Sequence, residues 1–353
     1  QSRGYSGNVS FRRVLDHRGL AKEFYNLASR ETPPDLMLCS WPVIELCYEA
    51  TRVGSQWGVP VVLDVRDMWP DAIVDIMPRM LRPAAKLALR RSYQLARQAA
   101  SQATAIVGIT EKITDWGIKF AGRPRSVVDR AFPMGYQTRS FSAHRLAEAA
   151  RFWRGMGLGL DDSKFVVCFF GTFGRHFEIK TINEAAAKLI SSGRDITFVL
   201  CGDGPKLRQW NRMFADCRNV ILPGWVDAAR IQALMSISSV GLAPYYSSWD
   251  FQMSIPNKPI EYMSAGLPVV SSLRGDLADL LRENRCGLTY RNGDSDDLVR
   301  KLTYFYDHAA FRTAMAENAS SLFRQRFTAE TVYAEMQKYL QGIAAGSLRV
   351  QAA

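Results

Sequence analysis

Lys258 and Glu261 are the residues with the clearest chemistry in this 353-residue chain. They lie three positions apart in Pro256-Asn257-Lys258-Pro259-Ile260-Glu261-Tyr262-Met263-Ser264-Ala265-Gly266-Leu267-Pro268-Val269-Val270. The pattern predicts a short helix over 260–265. Gly266 can take the positive φ that ends a helix, and Pro268 bars its continuation. A buried strand over 267–271 follows. Helix N-termini attract anions through free N–H groups and the dipole, so a lysine at the helix entrance suits a diphosphate. A glutamate one turn on can accept hydrogen bonds from sugar hydroxyls. The same spacing also fits a plain helix–strand junction with two surface charges.

The elements that must position this pair are strands and helices in alternation. In the second half, strands are predicted at 164–170, 196–201, 219–222 and 239–243, with helices at 181–191 and 228–236. Three glycine-bearing turns close the first three strands: Gly171-Thr172-Phe173-Gly174, Gly202-Asp203-Gly204-Pro205 and Pro223-Gly224-Trp225. In open α/β sheets, ligands bind at the carboxyl ends of the strands. The first half predicts strands at 35–40, 59–65, 104–109 and 126–130, with helices at 42–57, 83–102 and 110–120. The expected fold is therefore α/β with parallel sheets covered by helices. The expected domains are 1–140 and 164–326, joined by an interdomain connection over 141–163, with residues 138–163 read as a helix plus that connection. A C-terminal helix over 327–346 is capped by Thr328.

A hydrophobic content of 47% and a charged content of 22% are those of an ordinary globular protein. No apolar run reaches the roughly 18 to 20 residues that span a bilayer. The N-terminal residues, polar and carrying Arg3, Arg12 and Arg13, lack a signal-peptide pattern. Six cysteines form no CxxC pair, and Cys39, Cys168 and Cys201 fall in strand-like runs. Buried thiols of a reduced, cytoplasmic protein explain them better than disulfides or zinc. Asp294, Asp296 and Asp297 follow Gly293 and precede a helix, which points to N-capping and not to a metal site.

The net charge of +11 is uneven. Residues 1–150 hold 21 Lys+Arg against 14 Asp+Glu, and the remainder holds 24 against 20. Arg79, Arg82, Lys86, Arg90, Arg91 and Arg97 have no acid between them. Ala84, Leu87, Ala88 and Leu95 offer that stretch an apolar side. It fits a solvated helix face packed on its own sheet, or a surface attracted to anionic lipid or an anionic acceptor. Nucleic acid fits less well, since no recognition motif is present and no aromatic residues interleave with the basic ones.

The order and spacing of FFGTFG at 169–174, CGDGP at 201–205, NVILPGWV at 219–226 and IPNKPIEYMSAGLPVV at 255–270 resemble the retaining glycosyltransferases of family 4. PDLMLCSWP at 34–42, VVLDVRDMWPD at 61–71 and PMG at 133–135 extend the resemblance toward the N-terminus. It implies a GT-B fold, in which two Rossmann-like domains face a cleft. It also implies transfer of a hexosyl group from a nucleotide-diphosphate sugar to a glycan or lipid-linked acceptor, as in surface polysaccharide biosynthesis, without a cofactor or catalytic metal. By position, Glu261 resembles the glutamate that binds the ribose hydroxyls, and Lys258, beside Asn257, would face the diphosphate. Gly171, Gly174, Gly202 and Gly204 would let backbone pass close to the nucleotide, and the backbone of Trp225 and Val226 would face the base. The leaving diphosphate is the expected base, so the catalytic duty on Lys258, Glu261 and Arg175 is electrostatic and positional.

Three departures qualify the resemblance. The family's earlier glutamate falls at Met253. The common basic pair after the first strand of the donor domain is displaced, so that Arg175 or Lys180 serves it or is a solvated loop residue. The first βαβ segment of the acceptor domain is missing, which suggests an N-terminally truncated sequence. On the acceptor side, Asp64 and Asp67 flank Arg66 at a strand end; either orients an acceptor hydroxyl, pairs with Arg66, or caps the next turn. The alternatives to an active enzyme at the inner face of the membrane are an impaired sugar-nucleotide-binding or partner subunit and, more weakly, a sugar-nucleotide epimerase.

Overall fold

A computed structural model of the protein describes residues 11–159 and 164–348. The first ten residues of the domain expected at 1–140, and positions 160–163 of the expected connection, lie outside the described residues. The strand runs form two all-parallel sheets. In the first, β1 (Met37–Trp41), β2 (Val61–Val65), β3 (Ala105–Gly108) and β4 (Arg130–Ala131) lie in sequential order. In the second, β5 (Phe165–Phe170), β6 (Ile196–Cys201), β7 (Val220–Gly224), β8 (Val240–Ala243), β9 (Val269–Ser271) and β10 (Gly287–Thr289) take the order β10-β9-β8-β5-β6-β7. Every residue of β2, β3, β5 and β8 is buried, as strands covered on both faces by helices require. This is the expected α/β architecture of two Rossmann-like units.

Helix starts follow their capping side chains. Thr110 accepts a hydrogen bond from the Ile113 N–H (3.2 Å), Asp227 from that of Arg230 (2.9 Å) and Asp294 from that of Asp297 (2.8 Å). Such a cap is worth about 1 kcal/mol. Asp294 is thus a helix cap, as its position after Gly293 indicates. All six cysteines are free thiols, five of them buried.

The structure redraws three expected boundaries. The first unit holds the described residues up to Pro133 together with those from Val332 onward, and the second is Met134–Thr331. The helix expected within 138–163 is Ala143–Gly155, and it belongs to the second unit and not to a connection, its Trp153 indole N–H donating to the Arg230 carbonyl (2.8 Å). The C-terminal helix, Ala329–Ala344, returns to the first unit: Met336, Tyr339 and Ile343 pack with Val62, Val107, Val128 and Phe132. The helix expected over 83–102 is broken at Leu89 into Arg82–Ala88 and Arg90–Gln102, preceded by a 3-10 turn at Arg79–Leu81. None of the residues of Arg82–Ala88 is buried, so no packing holds the two pieces in one line.

Glu178, just before the helix Ile179–Ser191, is a buried acid with no signal in the sequence. Burial pushes its carboxyl up to about 7, only partly opposed by the Gly293 N–H and the hydroxyls of Tyr290 and Ser272. Its Oε2 has no hydrogen-bond partner among the described residues. An unfolded chain releases this proton near the ordinary value of 4.5, the folded one near 7, so stability falls as pH rises between those values. Glu178→Gln should remove that slope and raise stability at pH 8 by about 1–3 kcal/mol, with little change near pH 4. Melting curves across pH check this; parallel curves for parent and variant would refute it.

Candidate functional site

The strand order of the second sheet reverses between β5 and β8, and the crevice at such a switch point is where α/β sheets bind ligands. Around it the three glycine turns are linked by backbone hydrogen bonds. The Gly171 N–H donates to Cys201 O (2.9 Å), that of Gly202 to Gly224 O (2.8 Å) and that of Phe173 to Asp203 O (2.8 Å). The close approach needs glycine: a Cβ on Gly202, at φ +156°, would lie 1.9 Å from the Gly171 carbonyl oxygen. Phe173 stacks on the buried Trp210 with ring centroids 3.8 Å apart, which anchors the first turn from below.

The helix carrying the charged pair runs Asn257–Ser264, three residues earlier than the sequence pattern indicates. Pro256 precedes it in an extended conformation, and Pro259 sits where no N–H is needed. Tyr262, fully buried, presses its ring against Gly241 of β8 and donates its hydroxyl to Leu242 O (3.0 Å). Gly266 (φ +69°) ends the helix as expected, and β9 begins at Val269. This clamp turns Lys258 and Glu261 toward the glycine loops.

A cavity of about 560 Å³ opens there, lined by Gly171, Gly202, Gly204, Trp225, Lys258 and Glu261 among others. Val226 also lines it and is buried, whereas Trp225 is 71% exposed. The Lys258 ammonium sits 5.5 Å from the Phe177 ring centroid and 5.8 Å from that of Phe169. It lies so close to Gly171 that a Cβ there would be 2.5 Å from Nζ. Burial lowers the Lys258 amine from its usual range, opposed by Glu261. Burial raises the Glu261 carboxyl, opposed by Lys258 and Arg139. Both charges are thus half-buried at the cavity wall, and for each the cost of burial is only partly offset by the other.

Other expected residues fall elsewhere. Arg175 is exposed, and Lys180, 81% exposed in its side chain, pairs with Glu184 on its own helix (3.6 Å). Neither Arg175, Lys180, Gly174 nor Asn257 lines the cavity. Met253 follows the short helix Trp249–Gln252 and also stands outside the lining. In the first unit, Arg66 donates to the buried Asp64 (2.7 Å), and burial, opposed by Arg66, raises the Asp64 carboxyl. Asp67 is exposed beside them. The pairing of Asp64 with Arg66 is thus one of the roles the sequence leaves open.

The sequence pattern misses Phe170, Thr172, Cys201, Asp203 and Ile231 in the lining, although the first four belong to or adjoin its glycine turns. It also misses a second cavity of about 470 Å³ that shares Glu261 and Ile231 and is lined by Tyr136, Arg139, Gln232 and Ser264. Arg139 carries no motif; its place depends on Tyr136 pairing with 327–329 through two backbone hydrogen bonds (2.8 and 3.1 Å).

Residues 164–308 match the family described as glycosyl transferases group 1. Over 273 residues the chain is 25% identical to an alpha-D-kanosaminyltransferase of Streptomyces kanamyceticus, covering 75% of this chain and 66% of the relative. Over 166 residues it is 25% identical to the putative colanic acid biosynthesis glycosyltransferase WcaL of Salmonella typhimurium, covering 45% and 41%. The chain thus spans less than two thirds of either curated relative. The structure of Anabaena Alr3699/HepE in complex with UDP superposes with a TM-score of 0.68 at 17% identity, covering 92% of this chain and 82% of that one. Sucrose-phosphate synthase from Thermosynechococcus elongatus superposes with 0.72 at 14% identity, covering 98% and 82%. The fold is that of GT-B glycosyltransferases, and residues 164–308 carry the match to the glycosyl transferases group 1.

Proposed function

We propose that the protein is a glycosyltransferase that moves a sugar from a nucleotide-diphosphate sugar to a hydroxyl of a glycan or lipid-linked acceptor, with retention at the anomeric carbon. The observation that carries this reading is the placement of Lys258 and Glu261 beside three glycine turns at the switch point of the second sheet. Glu261 accepts from the ribose hydroxyls, Lys258 neutralises the diphosphate, and the glycines admit the phosphates to the backbone. UDP in the Anabaena structure and the glycosyltransferase names of the relatives support a nucleotide-sugar donor.

In the reaction, the bond from the anomeric carbon to the β-phosphate oxygen breaks while the acceptor oxygen bonds to the same face. The acceptor proton passes to the departing phosphate. The protein supplies no nucleophile in this course; Lys258 stabilises the charge that grows on the diphosphate, a task best done in a site of restricted solvent. The acceptor is a glycan or lipid-linked intermediate of surface polysaccharide synthesis.

Calorimetry with UDP, GDP and ADP tests the donor assignment. Glu261→Gln should weaken whichever nucleotide binds by roughly 10- to 150-fold, the worth of charge-assisted hydrogen bonds of about 1.5–3 kcal/mol. Unchanged affinity for all three would remove Glu261 from the site. Release of nucleoside diphosphate from sugar donors, stimulated by glycan acceptors, separates a transferase from a subunit that only binds the nucleotide.

A further inference from the structure

The segment from Ile76 to Arg97 in the first unit combines two features that a solvated face does not need. Met80 is 92% exposed, Leu87 72% and Leu81 54%, all on the 3-10 turn and the unburied helix Arg82–Ala88. Apolar side chains that open to water and close in sequence mark an interaction surface. Around them stand six cations and, from Ile76 to Thr110, no acid. Arg82 is used internally: it pairs with Asp75 (2.9 Å) and donates to the carbonyls of Asp75 and Met77, which fixes the turn. Among the described residues, the side chains of Arg79, Lys86, Arg90, Arg91 and Arg97 make no ion pair or hydrogen bond. Lys86, Arg90 and Arg97 line a surface cavity of about 550 Å³ with Tyr93 between them. The acid on that face, Asp71, is already engaged by the Tyr93 hydroxyl (2.6 Å) and the Trp116 indole N–H (2.9 Å).

We propose that Ile76–Arg97 seats the first unit on an anionic lipid bilayer, with Met80, Leu81 and Leu87 entering the headgroup layer and a lipid phosphate held among Lys86, Arg90 and Arg97. The combination selects this occupant. A soluble polyanion would engage the cations and leave Met80 and Leu87 in water. An apolar protein surface would cover those side chains and leave five unpaired cations desolvated. An anionic bilayer receives both, since long basic side chains and apolar residues partition together at its interface. The inference does not depend on the donor reading above, because none of these residues lines the nucleotide cavity.

Sedimentation of the full chain with vesicles tests it. The chain should bind vesicles of phosphatidylcholine and phosphatidylglycerol but not of phosphatidylcholine alone, and rising salt should release it as screening shortens below about 10 Å. At about 1 kcal/mol per cation, Lys86→Gln with Arg90→Gln should weaken binding about 30-fold. Met80→Ser with Leu87→Ser should also weaken it while leaving the salt dependence in place. All four substitutions should leave the melting temperature and nucleotide affinity unchanged, which separates this outcome from misfolding. Equal binding to neutral and anionic vesicles would overturn the proposal. So would full retention of vesicle binding by the Met80/Leu87 variant, or self-association that this variant abolishes in a chain that binds no vesicles.

Discussion

Lys258→Met should cut the rate of sugar transfer by roughly 10²- to 10³-fold, about 2.7–4 kcal/mol, while leaving the protein as stable as before or more so. The two halves of this expectation have one cause. The ammonium is enclosed by Gly171 and the Phe169 and Phe177 rings, and burial lowers its proton affinity below the usual lysine range. A group whose charged form is disfavoured by folding weakens the folded state at neutral pH, so replacing it with an apolar side chain of similar length removes a cost. In the donor complex proposed above, the same charge would face a diphosphate that gains negative charge as the sugar departs, and there its absence would be felt most. Turnover at saturating donor, together with melting curves, reads both halves. A variant that keeps its rate would exclude Lys258 from the leaving-group site. One that loses rate only because it unfolds would make the lysine structural.

Strand runs in the second unit were largely legible in the sequence because burial on both faces makes them continuously apolar, as in Phe-Val-Val-Cys-Phe-Phe of β5. The helix–stop–strand around Gly266 was legible for a similarly local reason, a positive φ followed by Pro268. What the sequence could not supply was the direction of side chains after a turn. Arg175 and Lys180 follow the first glycine turn as closely as a phosphate ligand would. Lys180, however, lies on the outer face of its helix and pairs with Glu184, while Lys258, nearly ninety positions away in sequence, meets Gly171 directly. Arg139 and Glu178 were illegible for the same reason, since pairing of 136 with 327–329 and the neighbourhood of Tyr290 and Gly293 are long-range facts. The break at Leu89 was hidden because alanine, leucine and arginine favour a helix on either side of it, and only the absence of packing under Arg82–Ala88 lets the chain turn.

Gly202→Ala and Gly174→Ala should differ sharply, although the family resemblance implies the same nucleotide-binding role for both glycines. At Gly202 a Cβ would stand 1.9 Å from the Gly171 carbonyl oxygen and 2.7 Å from the Phe173 ring, at a φ of +156° that side chains rarely adopt. Backbone on one side and a ring stacked on Trp210 on the other leave no cheap direction of relief. The hydrogen bonds from Gly171 to Cys201 and from Gly202 to Gly224 must then lengthen, and with them the floor of the cavity shifts. Overpacking and strain together should cost about 2–4 kcal/mol, or roughly 4–16 °C in the melting temperature of a unit this size. Nucleotide affinity should fall with it. At Gly174 the nearest atom to a new Cβ is the Thr172 carbonyl oxygen at 3.8 Å, an ordinary contact, and the residue lines no part of the cavity. Alanine there should leave stability within about 0.5 kcal/mol and affinity unchanged. Calorimetry of the two variants side by side decides the matter: equal losses would mean that the first turn contacts the nucleotide along its whole length, and equal tolerance would mean that the three glycine turns do not hold the phosphates.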